Sequence, residues 1–278
     1  MLRWPIMYEE PYRWVEAVSN RRQYLDEQLR HGSPIVAISF HEGIVLATFN
    51  QKTPKLYEVY DRLALGGIGH PADLETLRGQ ILDMAHLEGF QRSPSDVTGS
   101  RLMKYGLAPT LKQAYEEIFK APFITKLLLA DLGLRPEHDT FLTCDYDGTF
   151  EESTGFGVLA SSADAHEHIT AYLKAHGKYP RPSLDEAFET ALYAWGMASW
   201  QQQQDHDSVK DPHPPSDDPT VPLTPDKNQI LQHLRDIQTN KDLECVVLDR
   251  QTSTPSTYRT ISQTEGTQRL ASMLDHRP

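Results

Sequence analysis

Hydrophobic positions are densest between residues 35 and 49, where two apolar runs flank the short connection His41-Glu42-Gly43. Both runs are rich in β-branched residues, and Gly43 ends the connection, as expected of a β-hairpin in which this glycine adopts a positive φ. The runs, at 35–40 and 44–49, are almost continuously apolar and do not alternate with polar residues. Strands of this kind are covered on both faces, so the pattern predicts a hairpin inside a layered domain.

Apolar residues at helical spacing predict one helix before the hairpin and pairs of helices after it. The leading helix begins near Pro11 and is capped by Gly32; two helices lie between Pro71 and Pro122. The remaining helices are predicted near 163–174, 184–201, 230–237 and 267–274, and further strands at 55–60, 62–69, 124–132, 141–146, 156–159, 243–248 and 258–261. This order predicts an α+β fold, a four-layer αββα sandwich of two stacked antiparallel sheets flanked by helix pairs.

Residues 201–226 differ in composition from the rest, with a glutamine run, acidic residues and several prolines. They are predicted to form an acidic, proline-rich linker. The main domain then covers 9–200, and a short helix, strands and a final helix at 227–278 complete the same domain. Residues 1–8 form a tail ahead of it. The apolar residues of this tail are Leu2, Trp4, Ile6 and Met7.

Charge and composition exclude several kinds of partner. A formal net charge of −12 argues against nucleic acid or an anionic membrane as the main partner. No apolar run is long enough to span a membrane, and the first eight residues are too short and mixed for a signal peptide. Cys144 and Cys245 lie in strand-like runs and suggest no disulfide framework, which favours the cytoplasm. His166 and His168 would face different sides of a helix, so no metal or cofactor site is predicted.

Several stretches match a known family in order and spacing. They are residues 32–38 after the leading helix, 55–63 followed by the glycine-rich 66–69, 96–99, 146–148 and 243–249. Together these stretches resemble the alpha-type subunit of the bacterial proteasome core particle, which has the N-terminal-nucleophile hydrolase fold. The resemblance covers residues 9 to about 200 and 243–275.

The resemblance implies a non-catalytic subunit of a heptameric alpha ring that stacks on proteasome beta subunits in the cytoplasm. Such a ring gates the access of protein substrates and docks a ring-shaped ATPase or another activator through its C-terminal tails. Lys55 resembles the lysine of the activator pocket, and Gly32 and Ile68 resemble other residues of its wall. The apolar side chains of the tail are expected to form the gate, and no cofactor is implied.

The resemblance also bears on Ser33, which follows Gly32 where active subunits of the family carry their nucleophile. The catalytic acid of the family lies sixteen positions further on, which is Phe49 here. Pro34 follows the serine, and the segment ahead of it is predicted to be a helix, not a removable propeptide. No catalytic residue is therefore predicted. Two alternatives stay open: a self-processed hydrolase that uses Ser33, and a stand-alone proteasome-like ring without beta subunits.

Overall fold

Two five-stranded antiparallel sheets form the centre of the computed structural model, which describes residues 11–117, 119–177, 181–210 and 225–275. In the first sheet the strand order is β10-β9-β2-β1-β8, and in the second it is β3-β4-β5-β6-β7. The strands are β1 (Ile35–Phe40), β2 (Gly43–Asn50), β3 (Leu56–Tyr60), β4 (Leu63–Gly69), β5 (Thr125–Asp131), β6 (Thr140–Cys144), β7 (Phe150–Thr154), β8 (Phe156–Leu159), β9 (Asp242–Asp249) and β10 (Tyr258–Thr260).

Helices cover the outer face of each sheet. On the second sheet lie α2, α3, a π-helical turn at Met103–Leu107 and α4, and on the first sheet lie α5 to α8. The helices are α1 (Pro11–Leu29), α2 (Pro71–Gln91), α3 (Gly99–Leu102), α4 (Ala108–Glu116), α5 (Ala163–His176), α6 (Leu184–Lys210), α7 (Lys227–Gln238) and α8 (Gln263–Asp275). This arrangement confirms the predicted αββα sandwich.

The central hairpin has the two-sided burial that its apolar pattern predicted. Every residue of β1 is buried, with Val36, Ile38 and Phe40 in the core under the helices of the first sheet. The alternate residues Ile35 and Ala37 belong to the core between the two sheets. Because successive side chains of a strand point to opposite faces, a strand between two cores needs apolar residues at every position.

The turn of this hairpin differs from the prediction in one respect. Gly43 is not among the glycines with positive φ, which in the described chain are Gly69, Gly148 and Gly155. A side chain at Gly43 would place its Cβ 2.0 Å from the carbonyl oxygen of Leu248 in β9. This glycine therefore permits the close approach of the neighbouring strand.

Helix α1 closes one end of the space between the sheets. Leu25 and Leu29 are fully buried in the inter-sheet core. One turn before Leu25 on the same side of the helix, Arg21 donates to the carbonyl oxygens of Ala114 (3.1 Å) and Lys120 (2.7 Å). The leading segment is thus part of the folded core.

The structure differs from the prediction in one additional strand and in the end of one helix. Strand β7 was not predicted, because its residues are mostly polar and exposed at the edge of the second sheet. Helix α6 continues to Lys210, so residues 201–210 are helical and not a linker. Glutamine has a good helix propensity, and residues 201–211 contain no proline that would end the helix. Of the rest of the predicted linker, residues 211–224 lie outside the described residues, and Asp226 at its end caps α7. Beyond it, β9 pairs with β2 from Gly43 to Asn50, which makes the C-terminal segment part of the first sheet.

Candidate functional site: a basic cleft at Lys55

Lys55 stands immediately before β3, where its backbone is held by both sheets. Its amide donates to the carboxylate of Glu244 in β9 (3.0 Å to each oxygen), and the amide of Leu56 donates to the same group (2.9 Å). The carbonyl oxygen of Lys55 accepts from the amide of Gly67 in β4 (3.0 Å). A third donor to Glu244 is Asn50 Nδ2 at 2.6 Å. The position of Lys55 is thus fixed by one carboxylate that spans the two sheets.

A cleft of about 460 Å³ opens beside Lys55. It lies between the end of α1, the end of β2, the segment before β3, the middle of α6 and the turn after α7. The described residues that line it are Arg30, His31, Ser33, Phe49, Asn50, Gln51, Thr53, Lys55, Ser199, Gln202, Gln203, Ile237 and Lys241. None of them is an aspartate or a glutamate, although the chain carries a net charge of −12.

The environment of Lys55 disfavours its positive charge. Burial, and then the nearby charge of Lys241, lower the pKa of Lys55 to about 8, whereas the charge of Glu244 acts in the opposite direction. Burial also lowers the pKa of Lys241. Within the described part of the chain, neither ammonium group forms an ion pair. At neutral pH the cleft therefore presents two partly desolvated cations whose ammonium groups form no ion pair with a described residue, with Glu244 as the nearby carboxylate that favours the charge of Lys55.

The two wall residues that accompanied Lys55 in the prediction lie close to one another. A Cβ at Gly32 would be 2.1 Å from Cγ2 of Ile68, so the glycine is needed for this close contact. Ile68 is fully buried in the inter-sheet core and supports the wall from behind. The chain brings Gly32, Ile68 and Lys55 together, but only Lys55 lines the cleft itself. A role for the other two in binding stays a prediction.

The predicted gate residues Leu2, Trp4, Ile6 and Met7 lie outside the described residues. Their role is therefore still a prediction from sequence.

Ser33 lies just before β1, in the wall of the same cleft, and is largely buried there. Its Oγ is 3.3 Å from Oγ1 of Thr48, which itself donates to the carbonyl oxygen of Pro34 (2.6 Å). Trp195 Nε1 donates to the same carbonyl at 2.9 Å. Phe49, at the position where the resemblance expects an acid, is fully buried with its ring centroid 4.4 Å from that of Trp195. The hydroxyl partner of Ser33 is thus another hydroxyl, which is not a base strong enough to activate it.

Sequence reasoning missed two residues that shape the cleft, Lys241 in its lining and Glu244 against the backbone of Lys55. Glu244 was part of a matched stretch, but nothing indicated that its carboxylate holds Lys55; the only available signal was an acid inside an otherwise apolar strand. Lys241 follows a helix in a polar segment and had no signal, because its approach to Lys55 depends on the pairing of β9 with β2.

A profile of the proteasome family, described as Proteasome subunit, matches residues 29–208. The chain belongs to the proteasome subunit family. The match begins at the last residue of α1 and ends within α6, so both Lys241 and Glu244 lie beyond the matched range in this proteasome-family chain.

Similar proteins named Proteasome subunit alpha support the alpha type. The protein of Actinosynnema mirum is 28% identical over 151 residues, 54% of this chain and 57% of that protein. The protein of Frankia casuarinae is 27% identical over 192 residues, 68% of this chain and 76% of that protein. A Nocardioides protein is 25% identical over 246 residues, 87% of this chain and 81% of that protein. The predicted resemblance to bacterial alpha subunits is confirmed.

The described residues contain neither a membrane-spanning helix nor a cluster of metal ligands. No described helix is long and apolar enough to cross a membrane. Among the same residues, no three or more histidine, cysteine, aspartate or glutamate side chains are grouped to hold a metal ion. Cys144 and Cys245 are free and buried in β6 and β9.

Proposed function

We propose that this proteasome-family chain is a non-catalytic alpha-ring subunit of a bacterial proteasome core particle. In this role it forms a heptameric ring with its own copies, stacks on beta subunits in the cytoplasm and docks a ring-shaped ATPase activator. The observation that carries the proposal is the cleft beside Lys55, which is open, basic and without an acidic residue in its described lining. The C-terminal carboxylate of a partner supplies the negative charge that the cleft lacks.

The chemistry of Lys55 suits this ligand. An ammonium group is a compact positive charge with three donors, so it can meet a carboxylate from several directions. Its backbone is held by Glu244 and Gly67, which limits the entropy lost when the ligand binds. Several activator tails engage one ring at the same time, so a small loss at each site becomes a large loss of avidity.

The experiment is the change Lys55→Ala in the assembled particle. We expect strong loss of activator-stimulated protein degradation and of binding to a peptide with the activator's C-terminus. Ring assembly and hydrolysis of very short peptides should be unchanged, because the substitution removes no core side chain. Lys104→Gln, at an exposed position outside the cleft, serves as the control for loss of one positive charge. Wild-type peptide binding by correctly assembled Lys55→Ala particles would refute the docking role.

The absence of catalysis is also part of the proposal, and the surroundings of Ser33 support it. Activation by self-processing needs a free amine at this residue, but the residues before it continue into α1, whose leucines belong to the inter-sheet core. We expect Ser33→Ala to leave peptide hydrolysis by the assembled particle unchanged. An intact mass that corresponds to cleavage after Gly32 would instead favour the self-processed hydrolase.

We further propose that residues 1–8 gate the channel of the ring. The sequence supports this role because the tail carries four large apolar residues, which copies of the tail can bury against one another at a ring axis. Each such residue contributes about 1.5–3 kcal/mol when fully buried. Deletion of residues 1–8 should speed degradation of long peptides but not of very short ones. Equal rates on long peptides would refute the gate.

A further inference from the structure

The cleft at Lys55 has a second wall formed by the C-terminal segment of the chain. Helix α7 packs on α6, where Ile230 and Leu234 are fully buried against Gly196. His233 Nε2 is 3.0 Å from Oγ of Ser199 across the same contact. Helix α7 is also well capped at its start, with a capping box between Asp226 and Gln229. A firmly packed helix therefore carries this wall.

Lys241 is placed in the cleft by the end of that helix. Its amide donates to the carbonyl oxygen of Ile237 at 2.9 Å, which closes the turn between α7 and β9. Strand β9 starts at the next residue, and its pairing with β2 places Asp242 opposite Asn50, another residue of the cleft. Both ends of the short turn are thus held by regular structure, which gives the backbone of Lys241 a defined position at the cleft, and its charge acts on Lys55 there.

The cations of the cleft differ in whether they form an ion pair. Arg30 has a partner, since its Nη1 lies 3.4 Å from Oε2 of Glu27 on α1. Lys55 and Lys241 are partly buried, and their ammonium groups form no ion pair with a described residue. The carboxylate of Glu244 bonds to the backbone amide of Lys55, and its charge only partly offsets the burial of that lysine. A partly desolvated ammonium without a direct ion-pair partner is unfavourable, and a bound anion relieves that cost. A single carboxylate neutralises only one of these two charges.

We propose that Lys241 is a second anion-recognising residue of this cleft, so that the cleft selects peptide C-termini with two negative charges. The terminal carboxylate binds at Lys55, and an acidic side chain at the last or next-to-last position binds at Lys241. This inference rests on the proposed docking function and adds the sequence preference of the partner. It also gives the segment after the family match a role, since α7 and its following turn supply the selecting charge.

The test uses fluorescein-labelled octapeptides with otherwise neutral sequences and the full-length chain in its native assembly. In the first pair of peptides the last residue is Glu or Gln. In the second pair the next-to-last residue is Glu or Gln. Every peptide is made in two forms, one with a free C-terminal carboxylate and one with a C-terminal amide. Fluorescence anisotropy at low salt gives the affinities. We expect at least one Glu peptide to bind about tenfold more tightly than its Gln partner, as for a charged hydrogen-bonded pair.

Variants assign the preference to its residue. Lys241→Gln should abolish the preference for Glu over Gln but retain the preference for a free carboxylate over an amide. Lys241→Arg keeps the charge and should keep most of the preference for Glu. Lys104→Gln, with the same loss of charge outside the cleft, should change neither preference. Lys55→Gln should remove the distinction between carboxylate and amide.

The outcomes separate the two proposals. Equal binding of Glu and Gln peptides in both pairs, or a Glu preference that survives Lys241→Gln, overturns the role of Lys241. In that case a carboxylate preference that depends on Lys55 still supports docking at the cleft. If no peptide with a free carboxylate binds better than its amide, the docking function fails, and the selectivity inferred from it fails as well.

Discussion

Replacing Glu244 with glutamine tests whether one carboxylate places Lys55. Its two oxygens accept from Asn50 Nδ2 (2.6 Å), the amide of Lys55 (3.0 Å) and the amide of Leu56 (2.9 Å). Glutamine has nearly the same shape but only one acceptor oxygen, and its NH₂ group would face N–H donors. The change Glu244→Gln therefore removes acceptors and negative charge from the junction of the two sheets while leaving the packing volume almost constant.

The expected size of the effect follows from these contacts. A hydrogen bond to a charged group contributes roughly 1.5–3 kcal/mol, and the partial exposure of Glu244 places its bonds near the lower value. With about two bonds lost, the free energy of unfolding should fall by about 2–4 kcal/mol. For a chain of this length the corresponding decrease in Tm is about 5–15 °C.

A second effect concerns the charge of Lys55. Burial and the charge of Lys241 lower the pKa of Lys55 to about 8, and Glu244 is the neighbour that raises it. Without the carboxylate the pKa of Lys55 falls further, so a smaller fraction of the lysine is protonated near pH 8. Binding of a peptide with a free C-terminal carboxylate should weaken correspondingly.

Thermal unfolding and fluorescence anisotropy with such a peptide measure the two effects on the same preparations. Glu189→Gln is the matched control, because Glu189 is exposed on α6 and lies outside the cleft. If Glu244→Gln has the same Tm and peptide affinity as the wild type, and Glu189→Gln also leaves both unchanged, Glu244 does not position Lys55.

Three further predictions concern single groups. Affinity for a peptide with a free C-terminal carboxylate should fall as the pH rises through about 8, where Lys55 loses its proton. In Lys55→Arg this affinity should change less with pH, and anisotropy titrations at several pH values measure both effects. Arg250→Met leaves the fully buried Asp139 without the guanidinium 2.6 Å away and should cost about 3–5 kcal/mol, read from the urea midpoint. Gly32→Ala brings a Cβ against Ile68 and should lower the free energy of unfolding by about 1–3 kcal/mol, measured by thermal unfolding. An unchanged Tm would show that Ile68 can move aside without cost.

The layers of the fold were predictable because burial leaves a periodic pattern in the sequence. The apolar residues of β1 and β2 identified strands between two cores, and the helix pairs followed from their apolar spacing. Strand β7 was missed because an exposed edge strand needs no apolar alternation; its residues include Glu151 and Glu152. The end of α6 was missed because its last residues are polar and resemble a linker in composition alone.

The cleft was only partly predictable. Lys55, Gly32 and Ile68 were predicted from a resemblance to a family; the structure places these three close together, and their role in binding stays a prediction. Glu244 reaches the backbone of Lys55, and Lys241 reaches the cleft, through strand pairing between segments almost two hundred residues apart, as the pairing of Asn50 with Asp242 illustrates. A single sequence contains no local signal for such a contact, because each residue looks ordinary in its own segment.

The basic cleft on an acidic chain also has a kinetic consequence. With a net charge of −12, most of the surface repels an anionic peptide end, whereas the described lining of the cleft attracts it. Because the Debye length is about 8 Å at physiological ionic strength, this difference acts during the last part of the approach. The field thereby favours encounters in which the charged end leads, which raises the association rate of correctly oriented chains over others. For the proposed docking of a peptide C-terminus, we expect this distribution of charge to favour correctly oriented peptides before they contact a side chain of the cleft.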